Sequence, residues 1–131
     1  MENFVPTDKQ KEEFGILNKQ FNDKMNAKPG VMEKYIAAMT DEKLRNEICE
    51  EGLQDIKDCD KNKDGRLDLE EYMTYLKLVN KKNKERFGDW ADYTDDEIKE
   101  MYRINNSLSE EEGISDDDFK KAMFVIRLVR Q

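Results

Sequence analysis

Between residues 60 and 71 the chain reads Asp-Lys-Asn-Lys-Asp-Gly-Arg-Leu-Asp-Leu-Glu-Glu, which sets the side-chain oxygens of Asp60, Asn62, Asp64, Asp68 and Glu71 at the first, third, fifth, ninth and twelfth places. Oxygens at that spacing suit a hard dication of calcium's size, which takes six to eight of them at about 2.3–2.6 Å. Arg66, at the seventh place, offers its backbone carbonyl. Asp68 would bind directly or through a water, and Glu71 is long enough to reach back with both carboxylate oxygens. Gly65, at the sixth place, permits the sharp positive-φ turn that wraps the chain about an ion. Five carboxylates against Lys61, Lys63 and Arg66 leave the loop at −2, the charge one calcium ion neutralises. The three bases stand at places that are not side-chain ligands and are expected only to temper affinity. One calcium ion is therefore the expected cofactor, with magnesium admitted at rest. A solvated acidic face is the commoner use of a charge run, but it would not need the glycine and the apolar Leu67 in register with the acids.

The flanks of this loop carry helical periodicity. Leu53, Ile56 and Cys59 recur at three-residue spacing and stop just before Asp60, the apolar edge of an entering helix over about 41–59. Thr40, Asp41 and Glu42 form a cap and an acidic first turn for it. Leu69, Tyr72, Met73, Leu76 and Val79 then follow the stripe of an amphipathic exiting helix. Residues 41–82 thus read as one helix-loop-helix unit.

A partial repeat follows a linker over 83–93. A shift of 47 residues aligns Leu67 with Ile114, Tyr72 with Phe119 and Val79 with Ile126, whereas Ile98, Met101 and Ile104 match the entering helix at a shift of 45. The loop between, 105–118, is two residues too long and ends in Asp118, whose short side chain reaches a bidentate position less easily than glutamate; no tight calcium site is expected there. Thr94 with Glu97 forms a capping box, and Ser115 with Asp118 a capped start. Phe87, Trp90 and Tyr93 read as core anchors that close the linker over the domain. Residues 94–131 are thus a degenerate second unit.

The first forty residues are less regular. Thr7 with Gln10 fits a capping box, Phe14, Leu17 and Phe21 give a stripe that ends near residue 22, and Pro29-Gly30 breaks the chain. Val31 aligns with Leu67 at a shift of 36, so 1–40 reads either as a decayed unit with its loop over 22–35 or as a plain helical hairpin. Neither holds calcium. Phe119 to Val129 is apolar on nearly all sides, so the fold, a target or a second subunit must cover it.

With 131 residues the chain suffices for one domain or two small lobes. A net charge of −8 argues against nucleic acid, which needs Lys and Arg on phosphates, and suits cations and basic amphipathic partner helices. There is no run long enough to span a membrane, and the polar start at residues 1–3 lacks the apolar core of a leader. Cys49 and Cys59 fall on one expected helix about 15 Å apart at 1.5 Å per residue, too far for a disulfide, so reduced thiols and a cytoplasmic address are expected. No histidine is present, which removes the commonest general base. An enzyme is not expected.

The loop 60–71 with its helices resembles the EF-hand superfamily, and the spread of units over a small acidic chain looks like its calmodulin-like branch. The resemblance implies an all-α fold in which paired loops meet through a short antiparallel β contact, Leu67 with Ile114 or Leu67 with Val31; the better repeat in 94–131 favours Ile114, which makes 41–131 the pair and leaves 1–40 as additional N-terminal helices. It implies Asp60, Asn62, Asp64, Arg66, Asp68 and Glu71 as metal ligands. Three functions compete: a calcium sensor whose helices reorient to engage a partner helix, a light-chain-like structural subunit that clasps its partner permanently, and a buffer. A homodimer fits the first two.

Overall fold

The computed structural model describes residues 4–90 and 92–130, and the polar start at residues 1–3 lies outside them. The N-terminal third folds as a helical hairpin. Helix α1 (Asp8–Asn26) begins on the expected capping box, where the Gln10 amide donates to Thr7 Oγ1 at 3.1 Å and the Thr7 amide to Gln10 Oε1 at 2.9 Å. It runs beyond residue 22, and only Ala27 and Lys28 separate it from α2 (Pro29–Thr40). The expected break thus falls just before Pro29, which itself takes the first position of α2, where the first helical residue has no use for an amide proton. The decayed-unit register fails here, since residues 22–35 lie mostly in helix and Val31 is buried on α2.

Helix α3 (Glu42–Cys59) is capped by Asp41, whose Oδ1 accepts from the Leu44 amide at 3.1 Å, while Thr40 closes α2. Of its expected stripe, Ile56 and Cys59 pack inward, but Leu53 is 54% exposed. Cys49 and Cys59 share this helix as free thiols. After the short strand β1 (Arg66–Leu67) comes α4 (Leu69–Phe87), which continues past residue 82, so the linker begins only at Gly88. Helix α5 (Asp95–Asn106), strand β2 (Ile114–Ser115) and α6 (Asp116–Val129) complete the chain, with capping boxes at Thr94 and Ser115 as expected.

The two strands decide the architecture. They pair antiparallel with Leu67 opposite Ile114 and Arg66 opposite Ser115, so the partner of Leu67 is Ile114 and not Val31. Leu67 and Ile114 are each 1% exposed and sit in a core with Tyr72, Leu76, Ile98 and Tyr102, fed by the helices on both sides of both loops. A second core joins Phe14 of α1 to Ile104, Leu108, Ala122 and Val125. This answers the apolar α6: α1 lies along it as its most extensive helical neighbour, leaving Met123 and Leu128 partly exposed. Phe14, wholly buried, contributes about 1.5–3 kcal/mol by area alone. A third core gathers Met25, Val31, Ala38, Phe87 and Trp90, where Phe87 at the end of α4 and Trp90 of the linker pack on the hairpin, while Tyr93 packs against the first core. No helix among the described residues is long and apolar enough to cross a membrane.

Candidate metal centre

The loop between α3 and α4 curls because its acids hold its own amides. Asp60 Oδ2 accepts from the Gly65 amide at 2.9 Å, and Asp64 Oδ1 from the Arg66 amide at 2.9 Å. Asn62 Oδ1 makes a longer contact, 3.4 Å, with the Asp64 amide. The reversal needs two residues at positive φ, Lys63 at 55° and Gly65 at 81°, and the second is where glycine belongs. Asp68 caps α4 by accepting from the Glu71 amide at 2.8 Å. Glu71 spans the loop mouth: Oε1 accepts from the Asp68 amide at 3.0 Å and Oε2 from the Lys61 amide at 2.7 Å.

These contacts leave capacity for a ligand. Glu71 is buried, forms no ion pair among the described residues, and has only neutral amides against it. Asp60 Oδ1 is buried with no hydrogen-bond partner. An unpaired buried acceptor costs about 1–3 kcal/mol, more when charged, and an arriving cation would recover that cost. The donors are all hard oxygens, which fits calcium or magnesium. No group of three Asp, Glu or Cys side chains among the described residues stands close enough to hold a metal by itself. The four carboxylates of the expected set, Asp60, Asp64, Asp68 and Glu71, are therefore not drawn together here: the three aspartates each hold one oxygen on a loop amide and Glu71 holds both.

A charged clamp ties α3 to α4. Lys82 Nζ donates to both oxygens of the buried Asp55, at 2.9 and 2.7 Å, and pairs with Glu51 at 2.6 Å, which Arg86 also contacts. Hydrogen bonds to Asp55 and Glu51 push the Lys82 pKa up, and the Lys82 hydrogen bond holds Glu51 below the ordinary carboxylate value.

In the second loop the chain departs from expectation. Helix α5 runs through Asn106, so Asn105 is not a loop residue but a buried helical one, its Nδ2 donating to the Met101 carbonyl at 2.7 Å. The loop is instead entered by Arg66. Its guanidinium donates to the Gly113 carbonyl at 2.8 Å, Asp118 Oδ2 at 3.0 Å, the Glu112 carbonyl at 3.3 Å and Ser109 Oγ, and faces Glu111 Oε2 at 3.5 Å. Arg66 therefore does more than temper affinity. A signal was present in the strand register, since a residue opposite Ser115 stands beside the second loop, but its use required knowing which loops pair.

Comparisons with protein-family models, curated proteins and solved structures gave no match.

Proposed function

We propose that this chain is a calcium-binding regulatory protein of EF-hand type, which takes one calcium ion in loop 60–71 through Asp60, Asn62, Asp64, the Arg66 carbonyl, Asp68 and Glu71. The buried, unpartnered Asp60 Oδ1 carries the proposal, because a lone carboxylate oxygen withdrawn from water calls for a cation. Bound calcium would supply charge compensation and a common centre for these oxygens. Asp60 ends α3 and Glu71 lies in the first turn of α4, so ligands on both helices turn occupancy into a change of helix angle against the Asp55–Lys82 clamp.

The partner is a basic amphipathic helix, suited to a chain of charge −8, and it competes with α1. An apolar cavity of about 280 Å³ already lies along that seam, lined by Phe14, Leu17, Tyr72, Met101, Phe119 and Ile126. Two free thiols on α3 suit a reducing, cytoplasmic setting. A second reading, a calcium buffer, is favoured by the complete burial of Phe14, by which α1 already covers part of α6.

Calorimetric calcium titration with Trp90 emission and an apolar dye separates the two. Trp90 packs against Phe21, Tyr35 and Phe87, so it reports displacement of the hairpin. The sensor predicts one site, a shifted Trp90 emission and dye binding only with calcium; the buffer predicts one site with neither change. A wild-type chain that binds no calcium sinks both.

A further inference from the structure

Two loops at equivalent places in the fold face the same electrostatic problem and meet it differently. Each ends in a buried acid that caps the following helix, Glu71 at 6% and Asp118 at 3% exposure. Asp118 Oδ2 accepts from the Ser115 amide at 2.9 Å, from Ser115 Oγ at 3.0 Å and from Arg66 at 3.0 Å. Glu71 has no such cation. A carboxylate withdrawn from water needs a counter-charge, and among the described residues the chain provides one to the second loop and none to Glu71.

We propose that Arg66 is the built-in cation of the second loop: its guanidinium closes residues 107–118 in place of a metal ion and makes that loop's order depend on the first loop. The oxygens around it are two carbonyls, a hydroxyl and two carboxylates, the donor classes that a hard cation gathers. Arginine satisfies them because it carries five N–H donors in a rigid fork and no acceptor.

Its delivery is built into the backbone. Strand pairing sets Arg66 directly opposite Ser115. Gly113, at φ 101°, makes room: a Cβ there would stand 3.1 Å from Arg66 Cβ and 3.3 Å from the Leu67 carbonyl. Asn106 braces the same turn, donating to the Glu111 and Gly113 carbonyls at 3.0 Å each. The second loop thus needs no calcium, and it is occupied before any ion could arrive.

The inference deepens the proposed function at one point. The Arg66 carbonyl is a ligand of the first loop while its side chain holds the second, so fixing that backbone in loop 60–71 also steadies 107–118. A single ion can then be felt by both units.

Amide hydrogen exchange on the full chain tests this, with and without calcium. In calcium-free buffer, Arg66→Ala is expected to speed exchange at Gly113, Ile114 and Ser115 by about tenfold while α1 keeps wild-type protection. In the wild type, calcium is expected to slow exchange over 107–118, and in Arg66→Ala it should leave that segment unchanged. Wild-type exchange rates at 107–118 in the variant overturn the proposal. A measurement on the wild type guards against a variant that does not fold: the Arg66 Nε proton should be resolved and slow to exchange, and a fast, solvent-like Nε proton overturns the proposal. A chain that binds no calcium but shows the Arg66 effect would sink the proposed function and leave the built-in cation standing.

Discussion

Loop 60–71 and loop 107–118 occupy matching places beside the same two-stranded contact, yet the buried acid of the first has no counter-charge among the described residues while that of the second receives Arg66 from the first. In the first, Asp60 Oδ1 is unpartnered and Glu71 rests on neutral amides. In the second, Asp118, Glu111 and the carbonyls of Glu112 and Gly113 surround a guanidinium that arrives from the first. The difference lies in where the counter-charge stands: the guanidinium of Arg66, a residue set opposite Ser115 by the strand pairing, meets the oxygens of the second loop and, among the described residues, none of the acids of its own.

The largest expected effect breaks the second loop. Asp118→Asn in calcium-free buffer should lower stability by about 3 kcal/mol in denaturant unfolding, the low end for removing one partner of a buried ion pair, because Arg66 is partly exposed. A loss below about 1 kcal/mol would mean that Arg66 is not compensating that charge. The counterpart, Glu71→Gln, should do the opposite: without calcium it changes stability by less than about 1 kcal/mol, since it removes a charge that has no counter-ion. Its cost should fall on calcium affinity, by about 100-fold in calorimetry, because a bidentate charged ligand is lost. Equal affinity in the two chains would remove loop 60–71 from consideration as the site.

The glycines sharpen the contrast at smaller scale. Gly65→Ala and Gly113→Ala both place an alanine at positive φ, a strain of about 1–2 kcal/mol. Only Gly113 adds a close approach, to Arg66 Cβ and the Leu67 carbonyl, whereas nothing lies within 4 Å of a Cβ at Gly65. Gly113→Ala should therefore cost more by about 1 kcal/mol in thermal or denaturant melts, and equal losses would show that the two strands yield freely.

Smallest is the response of the shared seam to alkali. Tyr75 of α4 meets Phe119 of α6 edge-on at 6.1 Å, and burial pushes Tyr75 and Tyr93 up to about 12 from an ordinary 10.0. The folded values lie above the unfolded one, so this stabilisation is complete below pH 10 and is lost as pH rises from about 10 through about 12. Near pH 10.5 the loss should be about 0.8 kcal/mol for each of these two tyrosines, read from denaturant midpoints, with tyrosinate absorbance appearing only as the chain unfolds. Ionisation of all five tyrosines near pH 10 in the folded chain would contradict the burial.

Much of this was legible in the sequence where the physics is local. Capping boxes at Thr7, Thr94 and Ser115 formed because each joins residues three apart, and α4 and α5 followed their apolar stripes. Errors came where a local rule met a tertiary one. Leu53 fits the stripe by spacing, yet the face of α3 that turns inward carries Asp55 to Lys82, and the leucine is left in solvent.

The sequence by itself determined the oxygen spacing of loop 60–71, the turn at Gly65 and the helices that flank it, because backbone geometry over a dozen residues depends on near neighbours. The repeat favoured Leu67 with Ile114, and the tertiary structure settled that choice against Val31; only the tertiary structure decided that α1 covers α6 and that Arg66 enters the second loop. Those outcomes depend on which apolar faces bury one another across the chain. A side chain's reach to residues 43 to 52 positions away follows from that burial and from nothing nearer in the sequence.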